Sequence, residues 1–435
     1  MMLKLIKANQ KNYLAKLDFI LQKRKLQNPE IDKKVKNIIQ DIKKNKDLAV
    51  LKYEKKYSNL KKISLKKIKF STSEKKKIIK KLDKKTKASI DLAFNRIFNF
   101  HKRQKLSSYS FTDKFKNIFN YKSNALHRVG VYVPGGLASY PSSVLMNCIP
   151  ALVAGVKEIY MTTPTMNKSY NPAVIYAAQK CKVKEIYKIG GAQAIAAMAY
   201  GTKTIQKVDK IVGPGNAFVA NAKKQVFGEV GIDMIAGPSE VTIVADKSSK
   251  PDWIAADLIA QAEHDETSQS IVIADNLKTI KKVNYFLLHQ LKNLPKKNIA
   301  SKSLKNYGLS ILVTNKKLLT ETINLIAPEH LEIFAKNASR IVKEVRNAGS
   351  IFLGEYSPEA IGDYLAGPNH VLPTSGSARF SSGLSVYDFL KRYSVIKMTK
   401  SGIERLSTSV INLAKYENLE GHANSIKIRL NKKEN

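Results

Sequence analysis

The stretch that decides the fold is Val129-Gly130-Val131-Tyr132-Val133-Pro134-Gly135-Gly136. Its first five residues are mostly β-branched or aromatic and predict a short buried strand, which the proline and the two glycines end. The next residues, 142–155, have the apolar spacing of a helix. A buried strand followed by a glycine turn and a helix is the repeating unit of a parallel α/β sheet.

The same unit recurs further along the chain. Glycines follow two of the later strands, at 190–191 and at 213–215, and each precedes a helix. Backbone N–H groups at such helix starts can approach a phosphate, although tight turns that need glycine explain them equally well. No G-x-G-x-x-G pattern is present, so a standard dinucleotide site is not predicted. Further strands are predicted at 158–163, 185–189, 210–212, 232–234, 241–245, 270–274 and 310–313.

This alternation predicts an α/β protein with two doubly wound parallel-sheet domains and helical extensions at both ends. The predicted helical prelude contains a capping box at Ser71-Thr72-Ser73-Glu74. The predicted parts are an N-terminal helical arm (1–25), a discontinuous α/β domain (26–128 and 240–384), a second α/β domain (129–239) and a C-terminal helical tail (385–435).

The composition limits the possible partners. The net charge of +40 comes mostly from lysine, with ten arginines among 75 basic residues, and drift toward AT-rich codons explains it without a partner. Arginine, which reads guanine and stacks on bases, is scarce, so we predict no specific nucleic-acid partner. No run approaches the roughly 20 apolar residues of a membrane span, so no membrane association is predicted. Two cysteines give no disulfide framework, which favours the cytoplasm.

Gln261-Ala262-Glu263-His264 is a candidate metal-binding segment near the end of a helix that is predicted to start at Pro251. Gln261 and His264 are three residues apart, so their side chains project from one helix face. An amide oxygen and an imidazole nitrogen can bind the same ion. A histidine near a helix end is more often a capped surface residue or a core residue, so this pair alone is weak support for a metal site.

Ala327-Pro328-Glu329-His330-Leu331 is predicted to open another helix, with Pro328 in the first position. Glu329 and His330 would then diverge by about 100° around the axis and line two sides of a cleft. An adjacent acid and base suit proton abstraction, although a glutamate at a helix start commonly serves only the helix dipole.

These segments, taken together in their order along the chain, resemble histidinol dehydrogenases over nearly the whole sequence. The matching motifs are Val133-Pro134-Gly135-Gly136, Gly190-Gly191-Ala192-Gln193-Ala194, Gly213-Pro214-Gly215-Asn216-Ala217, Ala236-Gly237-Pro238-Ser239-Glu240, Gln261-Ala262-Glu263-His264, Pro328-Glu329-His330-Leu331, Gly362-Asp363-Tyr364 and Glu420-Gly421-His422.

The resemblance implies incomplete Rossmann-like domains and a homodimer with shared active sites, in which the tail contributes to the partner's site. It also implies oxidation of L-histidinol through a bound aldehyde to L-histidine by two NAD molecules, with His330 as the base and Glu329 activating water. One zinc ion per subunit is expected. The implied zinc ligands are Gln261, His264, Asp363 and His422, which also bind substrate with Ser239, His330 and Glu417, and the implied NAD contacts are Tyr132, Gln193 and Asn216.

A zinc hydrolase is the alternative reading, because a Glu-His pair beside a metal suits water activation. The glycine-ended strands and the absence of H-E-x-x-H argue against it. A cysteine nucleophile is not expected either: Cys148 lies in an apolar run and reads as core, and neither it nor Cys181 has a histidine nearby in sequence.

Overall fold

A computed structural model describes residues 2–25, 29–58, 64–104, 106–135, 140–164 and 170–430. Gly136 of the predicted glycine turn lies outside these residues. The chain divides into two compact units, and each is described by itself. The first unit contains Met1–Gln104 and Leu126–Phe389, and the second contains Lys105–Ala125 and Leu390–Asn435.

Strands of the described residues form two parallel sheets in the first unit and one antiparallel sheet in the second. In chain order they are β1 (Lys4–Lys7), β2 (Tyr109–Thr112), β3 (Ile118–Ala125), β4 (Arg128–Tyr132), β5 (Glu158–Thr162), β6 (Glu185–Tyr187), β7 (Lys210–Val212), β8 (Gly231–Ile232), β9 (Glu240–Ala245), β10 (Gln269–Ala274), β11 (Leu309–Leu312), β12 (His330–Ile333), β13 (Ser350–Leu353) and β14 (Leu390–Lys397).

Helices connect most of these strands. In chain order the described residues form α1 (Tyr13–Gln22), α2 (Pro29–Tyr57), α3 (Leu65–Ile68), α4 (Thr72–Ile79), α5 (Lys84–His101), α6 (Pro141–Ala154), α7 (Pro172–Lys180), α8 (Gly191–Tyr200), α9 (Ala217–Val226), α10 (Pro251–Ala262), α11 (Leu277–Gln290), α12 (Lys297–Tyr307), α13 (Lys316–Ile326), α14 (Ala338–Ile341), α15 (Glu359–Tyr364), α16 (Lys400–Tyr416) and α17 (Glu420–Arg429). Short 3-10 turns lie at Lys23–Lys25, Lys102–Gln104, Leu291–Asn293, Val342–Glu344, Ser377–Arg379 and Val386–Phe389.

The two parallel sheets confirm the predicted α/β class. One has the order β6-β5-β4-β7-β8, and the other has the order β1-β11-β10-β9-β12-β13. Every residue of β9 and β10 is buried, and both strands are rich in valine and isoleucine, which is typical of central strands covered on both faces. Helices α10 to α12 pack on one face of the six-stranded sheet, and α1 and α13 pack on the other.

Local signals in the sequence account for many element boundaries. The capping box predicted at Ser71 and Glu74 is confirmed, with both of its hydrogen bonds present. Proline occupies the first turn of α6, and Gly155 follows that helix with a φ of 95°, the left-handed conformation that suits glycine. Cys148 lies in α6 and is fully buried, which confirms its reading as core, and Cys181 is fully buried as well.

The N-terminal segment differs from the predicted helical arm. Residues 4–7 form β1, which pairs in parallel with β11 at the edge of the six-stranded sheet. Leu3 and Leu5 pack on one face of this sheet, and Ile6 and Ala8 pack on the other, so the segment has the period of two of a strand. Helix formation begins only at α1.

Packing also differs from the predicted grouping of 26–128 with 240–384. Helix α2 lies against α8 and α9, and α5 lies against α6 and α7, so the helical prelude covers the five-stranded sheet. Val35, Ile38 and Ile42 of α2 share one apolar cluster with Ile195 of α8. The long helix is interrupted at Lys46, which has a φ of 48°.

The second unit is built on an antiparallel sheet of order β14-β3-β2. All eight residues of β14 pair with β3. The tail therefore forms a unit with residues 105–125, and it contains one strand before its two helices. Within the described residues, no helix combines the length and the apolar character that a bilayer crossing needs.

Candidate active site

The predicted catalytic pair lies at the start of a strand, with Glu329 directly before it and His330 as its first residue, and not, as predicted, at a helix start. Helix α13 ends at Ala327, which adopts a left-handed conformation with a φ of 47°. His330 then begins β12, which lies between β9 and β13. The prediction of a helix was wrong because pairing with two neighbouring strands outweighs the local preference for proline at a helix start.

His330 is buried and oriented by the backbone of β9. Its Nδ1 lies 3.0 Å from the carbonyl oxygen of Glu240. With Nδ1–H donating to that oxygen, Nε2 is left to accept a proton. Burial lowers the pKa of His330, although the nearby charge of Asp363 acts in the opposite direction. The imidazole is therefore neutral at neutral pH, which is the form that a general base requires.

Glu329 is buried beside His330. Its Oε2 accepts a hydrogen bond of 2.7 Å from the backbone N–H of Glu240 and lies 3.7 Å from Nδ1 of His330. Burial raises the pKa of Glu329 well above its usual range, and the charges of Glu240 and Asp363 raise it further. A carboxylate with a raised pKa is a stronger base toward water than an ordinary glutamate.

An arginine from the N-terminal segment holds the start of β9. The guanidinium of Arg24 lies 2.6 Å from the carboxylate of Glu240 and donates to Oε1 of Gln269 at 2.9 Å. Glu240 also accepts the backbone N–H of Ser375 at 3.0 Å. Sequence reasoning missed Arg24, although it is one of only ten arginines in a lysine-rich chain.

Further buried carboxyl groups surround the histidine. Glu359 Oε2 lies 3.8 Å from Nδ1 of His330, and the backbone N–H of Glu359 donates to Oε1 of Glu332 at 2.6 Å. Burial raises the pKa of both carboxyl groups well above the usual range, and the charge of Asp257 adds to this for Glu332, as the charge of Glu332 does for Glu359. Burial also raises the pKa of Asp257, to about 6.

Asp363 connects this cluster to the predicted metal ligands. Its Oδ2 lies 3.9 Å from Nε2 of His264, and its Oδ1 lies 3.5 Å from Nδ1 of His370. Burial would raise the pKa of Asp363, but the contact with His370 and the nearby His330 and His264 together outweigh this and lower it. Gln261 is 1% exposed, and its amide nitrogen has no hydrogen-bond partner, so the orientation of the amide is not fixed by the protein.

The imidazole of His264, the carboxylate of Asp363 and the amide of Gln261 are donors of kinds that a zinc ion can accept. No three histidine, cysteine, aspartate or glutamate side chains among the described residues are spaced to hold a metal ion. The predicted set takes only two such side chains from the first unit, His264 and Asp363, together with the amide of Gln261. One nitrogen and two oxygens leave coordination positions open, which is typical of catalytic and not of structural zinc.

His370 is a candidate site residue that sequence reasoning missed. It lies in the loop after α15, where Nδ1 approaches Asp363. Asn369 anchors the same loop, since its amide nitrogen donates to the carbonyl oxygen of Met146 at 2.7 Å. The available signal was the rarity of histidine, since the chain has only seven.

The remaining predicted substrate contacts lie in both units. Ser239 is half-buried and directly precedes β9. Glu417 follows α16, and His422 lies in the first turn of α17, both in the second unit and both exposed. The first unit therefore brings together Gln261, His264, Glu329, His330 and Asp363, while Glu417 and His422 belong to the second unit.

The three predicted NAD contacts lie at the C-terminal end of the five-stranded sheet. Tyr132 ends β4, and its buried hydroxyl accepts the backbone N–H of Gly191 at 3.1 Å. Burial raises the pKa of Tyr132 to about 12. Asn216 is exposed and caps α9 by accepting the N–H groups of Phe218 and Val219 at 3.1 and 3.2 Å.

A glutamate from α2 holds the start of α8, the helix that contains Gln193. The buried carboxylate of Glu54 accepts the N–H of Gly190 at 3.0 Å and the amide of Gln193 at 2.8 Å. Burial raises the pKa of Glu54. Sequence reasoning missed this residue in a lysine-rich helix, although Glu54 lies four positions after Val50 on the apolar face.

A buried ion pair holds the other loop. Lys223 and Asp233 are in contact, and their side chains are 2% and 1% exposed. The Lys223 ammonium donates to the carbonyl oxygen of Gly213 at 2.9 Å, and the N–H of Gly213 donates to Asp233 at 2.8 Å. Gly213 has a φ of 116°, and a Cβ there would collide with the carbonyl oxygen of Tyr132. Glycine is therefore required where the loop crosses the end of β4.

Known proteins resemble this chain over its whole length. A family model described as histidinol dehydrogenase matches residues 21–430. Histidinol dehydrogenase from Pelagibacter ubique is 53% identical over 433 residues, which cover 99% of this chain and 100% of that protein. The protein of the same name from Clostridium acetobutylicum is 47% identical over 404 residues, 93% of each chain.

A solved structure has the same fold. The crystal structure of histidinol dehydrogenase from Elizabethkingia anophelis matches with a TM-score of 0.92 and 36% identity, covering 99% of this chain and 98% of that one. Sequence and structure agree along both units and include the segments that hold the catalytic pair. The chain therefore belongs to the histidinol dehydrogenase family, whose members are oxidoreductases acting on alcohol and aldehyde groups.

Proposed function

We propose that this protein is a zinc-dependent L-histidinol dehydrogenase that oxidises L-histidinol through L-histidinaldehyde to L-histidine, the last steps of histidine biosynthesis. The observation that carries the proposal is the buried Glu329–His330 pair next to Asp363 and His264. Two NAD molecules and one water are consumed for each histidinol, giving two NADH and the carboxylate. We expect the reaction to take place in the cytoplasm.

His330 and Glu329 have separate tasks in this proposal. Neutral His330, oriented through Nδ1 by the Glu240 carbonyl, accepts the alcohol proton at Nε2 during the first oxidation. Glu329 accepts a proton from the water that hydrates the aldehyde before the second oxidation, a task that suits a carboxylate of raised pKa. Both side chains are buried, so bulk water is kept from the aldehyde.

Gln261, His264 and Asp363 of one subunit and His422 of its partner would hold one zinc ion. Zinc would supply a fixed point for the imidazole and amine of the substrate, both of which are good donors to it. We further propose that Ser239, His330 and Glu417 contribute to substrate binding. His370, through its contact with Asp363, would keep that carboxylate ionised.

Tyr132, Gln193 and Asn216 would bind NAD, the hydride acceptor, at the C-terminal end of the five-stranded sheet. Parallel sheets bind ligands at this end. Asn216 is exposed there. Tyr132 and Gln193 are buried, and the Tyr132 hydroxyl accepts the N–H of Gly191 at the start of α8, the helix that contains Gln193. Glu54 and the Lys223–Asp233 pair hold the two loops in place.

We also propose that the protein is a homodimer with shared active sites and that the second unit contacts the partner subunit. This unit exposes many large apolar side chains, a feature that is typical of surfaces covered by another chain. Its helix α17 contains His422, which would complete the zinc site of the partner subunit. The exposed apolar side chains are Tyr109, Phe111, Tyr393, Val395, Ile396, Leu406, Val410, Leu413, Tyr416, Leu419 and Ile428.

NADH absorbance tests the function directly. Adding histidinol and NAD should yield two NADH per histidinol. Glu329→Gln should slow the oxidation of supplied histidinaldehyde far more than the first hydride transfer, whereas His330→Asn should impair alcohol oxidation at least as strongly. An equal loss in both half-reactions for both variants would contradict the division of roles, and no NADH from the unaltered protein would contradict the function.

A further inference from the structure

The two parallel sheets of the first unit repeat one topology. When the edge strand β1 is left aside, the first strand of each sheet is central, the second and third add to one side, and the chain then crosses over to add the fourth and fifth on the other side. Helices that follow the first and the fourth strand leave on opposite faces, which opens a crevice at the C-terminal ends of those strands. In the five-stranded sheet these strands are β4 and β7, where Tyr132 and Asn216 lie.

The equivalent position in the six-stranded sheet is a cavity of about 290 Å³ at the ends of β9 to β12. Its floor is made of small apolar residues, with Ala245 and Ala274 ending β9 and β10 and Ala335 following β12. His330 begins β12, five residues before Ala335, so the two ends are separated by about 16 Å of extended chain. The cavity is therefore distinct from the candidate active site.

Three cations lie at the mouth of this cavity without ion pairs among the described residues. Lys316 and Lys317 begin α13, Arg340 belongs to α14, and all three are exposed. Cations gathered in one pocket without carboxylate partners can bind a phosphate group.

The acidic residues that line the cavity accept hydrogen bonds from other protein groups. Asp246 accepts the backbone N–H groups of Ser248 and Lys336, both at 2.8 Å. Glu344 accepts the hydroxyl of Thr320 at 3.3 Å. Asp275, directly after β10, is exposed and accepts the amide of Asn276 at 2.7 Å. An acid after the second strand is the group that binds ribose hydroxyls in nucleotide-binding sheets.

We propose that this cavity binds a mononucleotide, with the base on the alanine floor, the ribose toward Asp275 and the phosphate at Lys316, Lys317 and Arg340. The loop after β9, residues 246–250, has no glycine to admit a pyrophosphate, and the volume is at the small end for ligand pockets. Only the comparison between the sheets rests on the proposed NAD site. The cavity and its charges do not depend on it.

Titration calorimetry with AMP tests this site in the full-length protein at about 0.15 M salt, where diffuse attraction to surface lysines is screened. The variant Lys316→Gln/Lys317→Gln/Arg340→Gln should weaken AMP binding about tenfold or more, because it removes three charge-assisted contacts. Its matched control is Lys84→Gln/Lys85→Gln/Arg103→Gln, which removes the same charge from exposed positions of α5 and the turn after it and should leave AMP affinity unchanged. Histidinol oxidation should persist in both.

Three outcomes separate this proposal from the proposed function. AMP binding that survives Asn216→Ala but not the cavity variant supports it, whereas the reverse pattern places AMP on the NAD loop and overturns it. Inorganic phosphate that binds as tightly as AMP overturns the nucleotide assignment, since the apolar floor would then contribute nothing. Loss of histidinol oxidation with AMP affinity intact would bear on the catalytic site alone.

Discussion

Replacing Lys223 should damage both stability and NAD binding, because this side chain holds the loop of Gly213 from inside the protein. The Lys223→Met variant keeps the length and apolar stem of the side chain but removes the ammonium. It leaves Asp233, whose side chain is 1% exposed, without its cation. It also leaves the carbonyl oxygen of Gly213 without its donor.

The expected loss follows from the burial of the pair. Breaking a buried ion pair by removing one partner costs about 3–5 kcal/mol, since the other charge remains in the interior. The double variant Lys223→Met/Asp233→Asn contains no buried charge, and the asparagine oxygen can still accept the N–H of Gly213. Only the Gly213 carbonyl then lacks a partner, which costs about 1–3 kcal/mol. The double variant should therefore be more stable than Lys223→Met.

Urea denaturation measures the free energies of unfolding, and steady-state kinetics give the KM for NAD. We expect KM to rise in Lys223→Met, since Asn216 follows Gly213 by three residues on the same loop. Lys224→Met is the matched control, because Lys224 is the exposed neighbour on α9, and it should change stability by less than about 0.5 kcal/mol. This role of Lys223 would be refuted if Lys223→Met were as stable as Lys224→Met. It would also be refuted if the double variant were no more stable than Lys223→Met.

Three further predictions concern pH, metal and subunits. Asp257 has a pKa raised by burial to about 6 from 3.8, so its favourable contribution is present below pH 4 and is lost as pH rises through 6. Asp257→Asn should therefore stabilise the protein by about 1–3 kcal/mol at pH 8 and hardly at pH 3.5, and equal shifts of the urea midpoint at both pH values would contradict this. Chelation should abolish histidinol oxidation and leave far-ultraviolet circular dichroism nearly intact, while full activity without metal would remove the proposed zinc site. Inactive His264→Ala and His422→Ala chains refolded together should regain about a quarter of wild-type activity, because half of the dimers are mixed and each has one intact site; an inactive mixture in which mixed dimers form would assign His422 to its own subunit.

The sequence predicted best what local chemistry determines. Strand β7 was predicted at its observed residues, and α9 is the helix predicted after its glycine turn, because a buried β-branched run and a glycine turn leave little choice. The structure places the predicted catalytic residues Glu329 and His330 side by side and buried, but the predicted helix start at these residues was wrong. The short segment after Pro328 is compatible with either a helix start or a strand. Only its pairing with β9 and β13 decides between the two.

The residues that sequence reasoning missed act across long distances in the chain. Arg24 meets Glu240 and Glu54 meets Gln193, contacts that no local pattern contains. Both lie in segments whose lysine content suggested plain surface helices. A lone acid on an apolar helix face and a rare arginine were the only available signals, and neither identifies its partner.

The pairing of β1 with β11 has a consequence for how the protein is made. Residues 4–7 and 309–312 are separated by about 300 positions, so β1 leaves the ribosome about 15–60 s before its partner strand is synthesised. Until then the five-stranded sheet can form on the nascent chain, while the six-stranded sheet cannot be completed. Once β11 emerges, its outer edge offers unpaired N–H and C=O groups to any passing strand. Residues 4–7 thus cover the outer edge of β11 once that strand has been synthesised. A nascent chain lacking them would be exposed to aggregation while its second sheet assembles.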